Sequence, residues 1–583
     1  MLKPMLKPML LSLVLFVIST VYYTHAALTF PVLFNLDNQL NYAATEYLAE
    51  HRKIPVVKAD DPEILFTEIG TTRSLRPPFT FIVSAVASNL TANIVDHSIT
   101  RQRLGSPLIG ALTVVVVFVG FWLAFNHIGL ALLGATTIGL LPKFVFLASC
   151  NNDDIGAVLS VSLLFTSVLA LVRYRANVSV LIALAFSLGL VLQTKFTAWL
   201  VLPWFGIFCL ILIRSNWRSI VKLTPLLAII FILAGGWWIV FNMINYGVTD
   251  PSAIRHAVEL QTQLNSIQAN SQGYLSSGIG LYDLLVNHDQ FLTKSFRSLI
   301  GYLQWLDLNV GALTYLFYGL LFLVGFVGLA FTSRATPKKR DYLDYLVIIL
   351  VLSQCVFYFH HNLVRDIQPQ ARYVLPVIMP LVYLFLRQIE RLPPGAVILQ
   401  FRGRKYASQS VVSSVLIGVC VLVHLVAMER YIVPTFNPKP YFTSLKKPQK
   451  HEVRDAFQIS SSNALSYKFI DNRLQLRREG TGPSSITLSS HFCRQLPLNA
   501  LITMNVKSLT SGGFSVHIDR LNQGAYDSIY WRRVPAGESV AIFSVNSHNC
   551  SGVKISLSRS TYQLTLESLD ISELRIHQHG KPL

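Results

Sequence analysis

The sequence predicts an α-helical polytopic membrane protein with a C-terminal extracytoplasmic all-β domain of sandwich or jelly-roll type, and three observations predict it. The chain of 583 residues is 52% hydrophobic and only 14% charged, with mean hydropathy +0.47. Apolar runs long enough to cross a bilayer, roughly 20 residues each, recur as far as residue 428. Beyond about residue 456 the pattern changes to short alternating apolar and polar runs separated by turn signals. The formal net charge of +19 sits largely in short loops between apolar runs. That is the distribution of the positive-inside rule, so the charge speaks for membrane topology and against a nucleic-acid partner.

The first apolar run, from Met9 to about Phe30, reads as an uncleaved span with a cytoplasmic N-terminus. A signal peptide is the rival reading, with Thr24-His25-Ala26 a poor cleavage site. The stretch Phe34 to Tyr42 follows at once. Leu36, Leu40, Ala43, Ala44, Tyr47 and Leu48 recur there at helical spacing, with Asp37, Asn38, Asn41, Thr45 and Glu46 between them. This predicts a helix lying in the membrane interface with its polar face toward water. Asp37 either caps that helix or stands ready to take a proton from the acceptor of a lipid-borne substrate.

Residues 31–104 form a long outer loop in which Phe79–Leu90, too short to span, reads as an interfacial or re-entrant helix. Spans are predicted at 107–125, 128–148, 155–172, 178–194, 197–213 and 223–242. A second outer loop, 243–311, ends in an amphipathic aromatic segment, Lys294 to Asp307. Four more spans follow at 312–332, 343–360, 374–389 and 410–428. The total is about eleven, and the Lys/Arg-rich loops near 173, 214, 334 and 387–409 then fall inside. The domains are thus 1–430 in the membrane, a linker over 431–455, and 456–583 outside, long enough to bury its own core. Four of the six cysteines lie in or beside spans and read as small apolar residues. Cys493 and Cys550 alone lie in the tail, where an oxidising compartment favours a disulfide between them.

By this topology Asp37, Asp153, Asp154, Lys195, Arg297, Arg365 and Arg372 all reach the outer boundary. Carboxylates and cations together suit a substrate with a phosphate head and a tail in lipid. Asp153 and Asp154 either cap the next helix or hold a divalent cation such as Mg or Mn. Lys195 and Arg372 are also readable as snorkelling anchors. Adjacent helical residues diverge, so His360-His361 reads as interfacial and not as a metal pair. The sequence contains no Walker-type phosphate loop, so no nucleotide cofactor is expected.

The order of these features resembles the GT-C superfamily of membrane glycosyltransferases. Within it the chain is most similar to a largely uncharacterised bacterial family of predicted multi-spanning membrane proteins. The resemblance rests on Asp37 after span one, Arg76-Pro77-Pro78-Phe79, Asn151-Asn152-Asp153-Asp154, Gly301 to Asp307, and Gln370 to Pro376, across roughly residues 10–430. Lipid A aminoarabinose transferases and protein O-mannosyltransferases are more distant by architecture. The resemblance implies a polyprenyl-phosphate sugar donor, an acceptor that is a cell-envelope glycan, lipid or protein, and a bacterial inner membrane. It implies Asp37 as catalytic carboxylate, and Lys195, Arg297, Arg372 and Tyr373 around the donor phosphate.

The chain departs from the pattern in two places. The family's Pro-Asp-Glu and nearby His are replaced by Leu36-Asp37-Asn38 without His, which shifts any cation site to Asp153 and Asp154. Ala371 stands where Gly is usual. The tail lies outside the resemblance, with glycan binding and a structural or assembly role both open. Two other function classes stay open for the whole chain. One is a transporter or flippase of a lipid-linked or anionic substrate; the other is a non-catalytic envelope assembly protein.

Overall fold

The computed structural model describes residues 3–433 apart from 31–37, 60, 62–63, 65–70, 96–97, 215–216, 265–272, 287–289, 304–307, 331–338, 393–396 and 402–403, and beyond 433 the strands named below. It separates into two compact units. One comprises Met1–Leu28, Arg76–Ser252 and Asn270–Thr435; the other comprises Thr29–Leu75, Ala253–Ala269 and Phe436–Leu583.

The helices, in chain order, begin with α1 (Lys3–Thr29), α2 (Asn38–His51), α3 (Phe79–Leu90), α4 (Ser98–Arg103), α5 (Gly105–Phe125), α6 (Ile128–Gly139) and α7 (Pro142–Ser149). Next come α8 (Asp153–Tyr174), α9 (Val178–Leu192), α10 (Phe196–Trp199), α11 (Leu202–Ile213), α12 (Trp217–Val221), α13 (Thr224–Phe231) and α14 (Trp237–Tyr246). The rest are α15 (Ile254–Leu264), α16 (Leu281–Val286), α17 (Phe291–Ile300), α18 (Ala312–Ala330), α19 (Lys339–Val364), α20 (Ile378–Glu390) and α21 (Ser408–Ala427). Among the described residues eight helical segments are long and apolar enough to cross a membrane, or nine if a bent pair counts as one span. The chain is therefore a polytopic α-helical membrane protein. Val178–Leu192 and Ala312–Gly328, both expected as spans, fall below the length of those eight.

The bent pair replaces the single span expected over 128–148: α6 and α7 meet at 65°. Pro142 causes the break, because it has no N–H to continue the helix. The end of α6 is satisfied from elsewhere, with the Tyr23 hydroxyl donating to the Gly139 carbonyl at 2.8 Å. Start signals in the sequence are used as written. The Asn177 side chain accepts from Val180 N at 3.0 Å, and His127 Nδ1 from Leu130 N at 3.2 Å.

In the membrane unit α8 and the segment Ala371–Glu390, which includes α20, are the most deeply buried of these segments, with α5 next, and α3, α6, α7 and α9 pack against α5 and α8. Glycine sets one close approach. A Cβ on Gly156 would lie 2.4 Å from Thr80 Oγ1, so α3 sits directly on α8. At the other end of the bundle Asp344 of α19 accepts from Tyr383 at 2.9 Å and pairs with Arg387 at 3.4 Å and Arg391 at 3.7 Å.

The second unit holds α2, and here one expectation is corrected. Asn41 and Thr45, expected to face water, are both 0% exposed. Thr45 can be buried because its hydroxyl donates back to the Asn41 carbonyl at 2.8 Å, a local bond that replaces water. The tail strands of this unit form two antiparallel sheets. In one, Tyr526–Val534, Gly512–Arg520, Cys550–Leu557, Ser484–Leu488 and Ser460–Ser461 lie edge to edge. In the other the order is Gly537–Asn546, Asn499–Ser508, Gln563–Glu573, Arg473–Arg478 and Leu465–Ile470, with Gln449–His451 also pairing to Gln563–Glu573. Cys493 lies outside the described residues and Cys550 is described only as backbone, so the expected disulfide lies outside them too. The same holds for Asp37.

Candidate functional site

The two adjacent acids at the start of α8 are buried, Asp153 at 4% exposure and Asp154 at 1%. Local sequence puts them there. Asn152 caps the helix, its Oδ1 accepting from Asp154 N at 2.7 Å. Carboxylates in a first turn also sit favourably against the positive end of the helix dipole. The expected alternative of capping by the acids themselves is thus displaced by one residue.

Lys195 occupies the break between α9 and α10. The break is held on two sides: the Gln193 carbonyl accepts from Phe79 N at 3.1 Å, and Thr194 Oγ1 meets Ser160 Oγ at 2.9 Å. From there Lys195 Nζ reaches Asp154 Oδ1 at 2.8 Å and Asp153 Oδ1 at 3.3 Å. Arg76, stiffened by the following Pro77-Pro78, donates to the other Asp153 oxygen at 2.7 Å. Burial works against the Lys195 charge, yet the attraction of Asp153 and Asp154 outweighs it and holds the ammonium above the ordinary lysine pKa.

Arg372 and Tyr373 follow on a 3-10 turn, Ala371–Val377. Lys195 Nζ lies 5.4 Å and the Arg372 guanidinium 5.7 Å from the centre of the Tyr373 ring. Both distances are within cation–π range. One aromatic ring therefore serves two cations that repel each other. The turn is fixed by its surroundings. Tyr373 donates its hydroxyl hydrogen to Gln368 Oε1, Gln354 Nε2 donates to the Tyr373 carbonyl at 2.6 Å, and Ala371 N donates to Ser298 Oγ at 2.7 Å.

Lys143, at the beginning of α7, belongs to the same electrostatic group. It is repelled by Arg372 and Lys195 and attracted by Asp154. Among the charged described residues coupled to these two lysines, four cations (Arg76, Lys143, Lys195, Arg372) face two carboxylates. Lys143, Lys195 and both acids are buried and Arg76 and Arg372 half-buried, and Coulomb forces there are stronger than in water. A cluster in which cations outnumber carboxylates among the described residues is suited to an anion.

The structure thus brings Asp153, Asp154, Lys195, Arg372 and Tyr373 together. It does not join Arg297 to them by any contact among the described residues. That guanidinium lies 5.6 Å from the Tyr315 ring instead. Two members were not singled out from the sequence. Arg76 was visible only as part of a motif. Lys143 was hidden inside an apolar run taken for an uninterrupted span, although a lysine at such a depth is itself a signal. His361 lies 5.4 Å from the Tyr373 ring. Among the described residues no three His, Cys, Asp or Glu converge as a metal site.

No curated protein matches the chain. Among solved structures it is similar to a crystal structure of ArnT from Cupriavidus metallidurans bound to undecaprenyl phosphate. The identity is 15% over 73% of this chain and 73% of that one, with TM-score 0.43. The apo form of the same protein aligns at 15% identity over 66% and 60%, with TM-score 0.40. CBM29_1, a family 29 carbohydrate binding module from Piromyces equi, aligns with 22% of this chain and 88% of its own at 16% identity and TM-score 0.18. The family model described as predicted membrane protein (DUF2142) matches residues 35–381. That is more than half of the chain, and the chain belongs to this family.

Proposed function

We propose that the protein is an inverting glycosyltransferase of the GT-C type, moving a sugar from a polyprenyl-phosphate donor to an extracytoplasmic acceptor. The observation that carries this reading is the cluster of cations, Lys195, Arg372 and Arg76, gathered around Tyr373 and the two acids of α8, which suits a phosphate head group whose tail runs into lipid. Lys195, Arg372 and Arg76 neutralise the phosphate, and Tyr373 keeps the first two in place. Asp37 is the base: the acceptor oxygen attacks the anomeric carbon, the carbon–oxygen bond to phosphate breaks, and Asp37 takes the acceptor proton.

The donor set does not fit a divalent cation at Asp153 and Asp154. Both Asp153 oxygens and one Asp154 oxygen already meet cations of the chain. A further double positive charge would add to an existing excess. In this reading the acids serve as counter-ions that fix Lys195 and Arg76, and no step runs through a metal. Eleven crossings follow if the bent pair, Val178–Leu192 and Ala312–Gly328 each count as one beside the eight longer segments. The two tail sheets then form a sandwich outside the cytoplasm, against glycan or a partner in the envelope.

The test is binding of polyprenyl phosphate to the purified full-length protein in detergent. Wild type should bind it and discriminate against the uncharged polyprenol, and Arg372→Ala should weaken binding by about tenfold or more, as for loss of a charge-assisted contact. Equal binding of phosphate and alcohol, or an unaffected Arg372→Ala, would refute the reading.

A further inference from the structure

Where α5 and α8 end, at the far end of the bundle from the acids of α8, lies a cavity of about 380 Å³. Its walls are apolar: Leu123 and Phe125 of α5, Leu169 and Val172 of α8, Leu343 of α19 and Tyr383 of α20. Tyr383 stacks on Phe125 with ring centres 5.5 Å apart, and its hydroxyl is spent on Asp344 at 2.9 Å. The volume falls in the usual range for a ligand site, about 300–1,000 Å³. Two polar residues also line it, Asn126 and Arg173, and both are exposed. The end of α5 holds the Arg173 guanidinium in place. Nη1 donates to the Leu123 carbonyl at 2.9 Å and the Trp122 carbonyl at 3.3 Å, and Nη2 donates to Asn126 Oδ1 at 2.9 Å. The Trp122 ring lies 5.4 Å away. These bonds use three of the five N–H groups of a guanidinium, and among the described residues no carboxylate pairs with Arg173.

We propose that this cavity binds one anionic phospholipid, with the phosphate on Arg173 and an acyl chain against the apolar wall. Charge complementarity and depth carry the inference. Arg173 is a fixed cation without an acid, at the end of two segments, Thr100–Phe125 and Asp153–Tyr174, that are long and apolar enough to cross a membrane. That is the level of lipid head groups. Two of its N–H groups remain for phosphate oxygens, which a planar guanidinium matches well. Apolar walls with no atoms against them lose dispersion contacts. An acyl chain supplies those contacts and a soluble anion does not. Basic pockets between membrane helices, on the side of the basic loops, are known sites for anionic head groups. Arg387 and Arg391 stand at the same end but are engaged by Asp344. The site is separate from the one proposed for polyprenyl phosphate, since Arg173 lies about 30 Å from Asp153 along α8.

The experiment mixes purified full-length protein in a nonionic detergent with phosphatidylglycerol or phosphatidylcholine of the same acyl chains. Native mass spectrometry then follows the tightest-bound lipid. Both lipids carry a phosphate, but choline cancels its charge. Wild type should retain one phosphatidylglycerol in preference to phosphatidylcholine by about tenfold, the size of one charge-assisted contact. Arg173→Gln should bring that ratio close to one, and Arg173→Lys should keep most of it. Each ratio is internal to one protein, so a change in stability alone does not reproduce this pattern. Val172→Trp fills the cavity from its own wall and should weaken both lipids. Arg175→Gln removes an exposed charge that does not line the cavity and should leave the ratio unchanged. Glycerol phosphate, the free head group, should not displace the lipid at the same concentration. The inference is overturned by a wild type without preference, by an Arg173→Gln that keeps it, or by an Arg175→Gln that loses it as fully. Displacement by glycerol phosphate overturns the lipid as occupant. None of these results touches the proposed function.

Discussion

Removing the Lys195 ammonium tests whether the acids of α8 act as counter-ions. In Lys195→Met, Asp153 keeps its 2.7 Å partner Arg76, but Asp154 loses the 2.8 Å bond that was its ion pair. The Lys195 and Asp154 side chains are 8% and 2% exposed, so solvent cannot replace the lost partner. Leaving such a charge unpaired typically costs about 3–5 kcal/mol. Asp154→Asn alone should cost less, because Lys195 keeps Asp153 at 3.3 Å. The double variant, which is neutral at both positions, should recover part of the loss, giving a coupling of about 1–3 kcal/mol. The assay is reversible unfolding of the four proteins in one detergent. The Lys195 pKa is raised above its ordinary 10.5, so its stabilising share is complete below that value and is lost only as pH rises through the higher folded value. The coupling should therefore stay flat between about pH 6 and about pH 9. Strict additivity of the two substitutions, or a coupling that disappears within that window, would refute the counter-ion role.

The cluster at the opposite end of the bundle should behave as a structural lock. Asp344→Ala removes one carboxylate from Arg387, which keeps Glu390, and from Arg391, and should lower stability by about 1.5–3 kcal/mol, as for loss of a charged hydrogen bond. Tyr383→Phe, which removes one hydrogen bond, should cost about 1 kcal/mol, as read by the same unfolding assay. For topology, a compartment-sensitive reporter fused after residue 440 should be active only outside the cytoplasm, as the alternation of basic loops requires. Activity inside would reverse the orientation.

What the sequence made legible depended on the strength of local signals. Long apolar runs such as 105–125 and 153–174 declared themselves, because their composition leaves few alternatives to a buried helix. The caps Asn152 and Asn177 lie where Ser, Thr, Asp or Asn would be sought. The bend at Pro142 was less legible. Apolar residues continue on both sides of it, so hydropathy merges α6 and α7, and only the missing N–H separates them. Burial of Thr45 goes against its polarity, because its hydroxyl is satisfied by its own helix through the Asn41 carbonyl. The charged residues of the site were legible one at a time as boundary acids and bases. Their pairing was not, because Arg76, Lys195 and Arg372 come from distant parts of the chain and meet only through packing. Arg297, equally basic in sequence, went to an aromatic ring instead.

The central claim is sugar transfer with Asp37 as base, and the substitution Asp37→Asn tests it most directly. Asn caps a helix about as well as Asp, so insertion in the membrane and binding of polyprenyl phosphate should survive. Loss of a general base should lower transfer from a polyprenyl-phosphate sugar by at least about a hundredfold. Transfer near the wild-type rate by Asp37→Asn would make Asp37 a cap and contradict the mechanism.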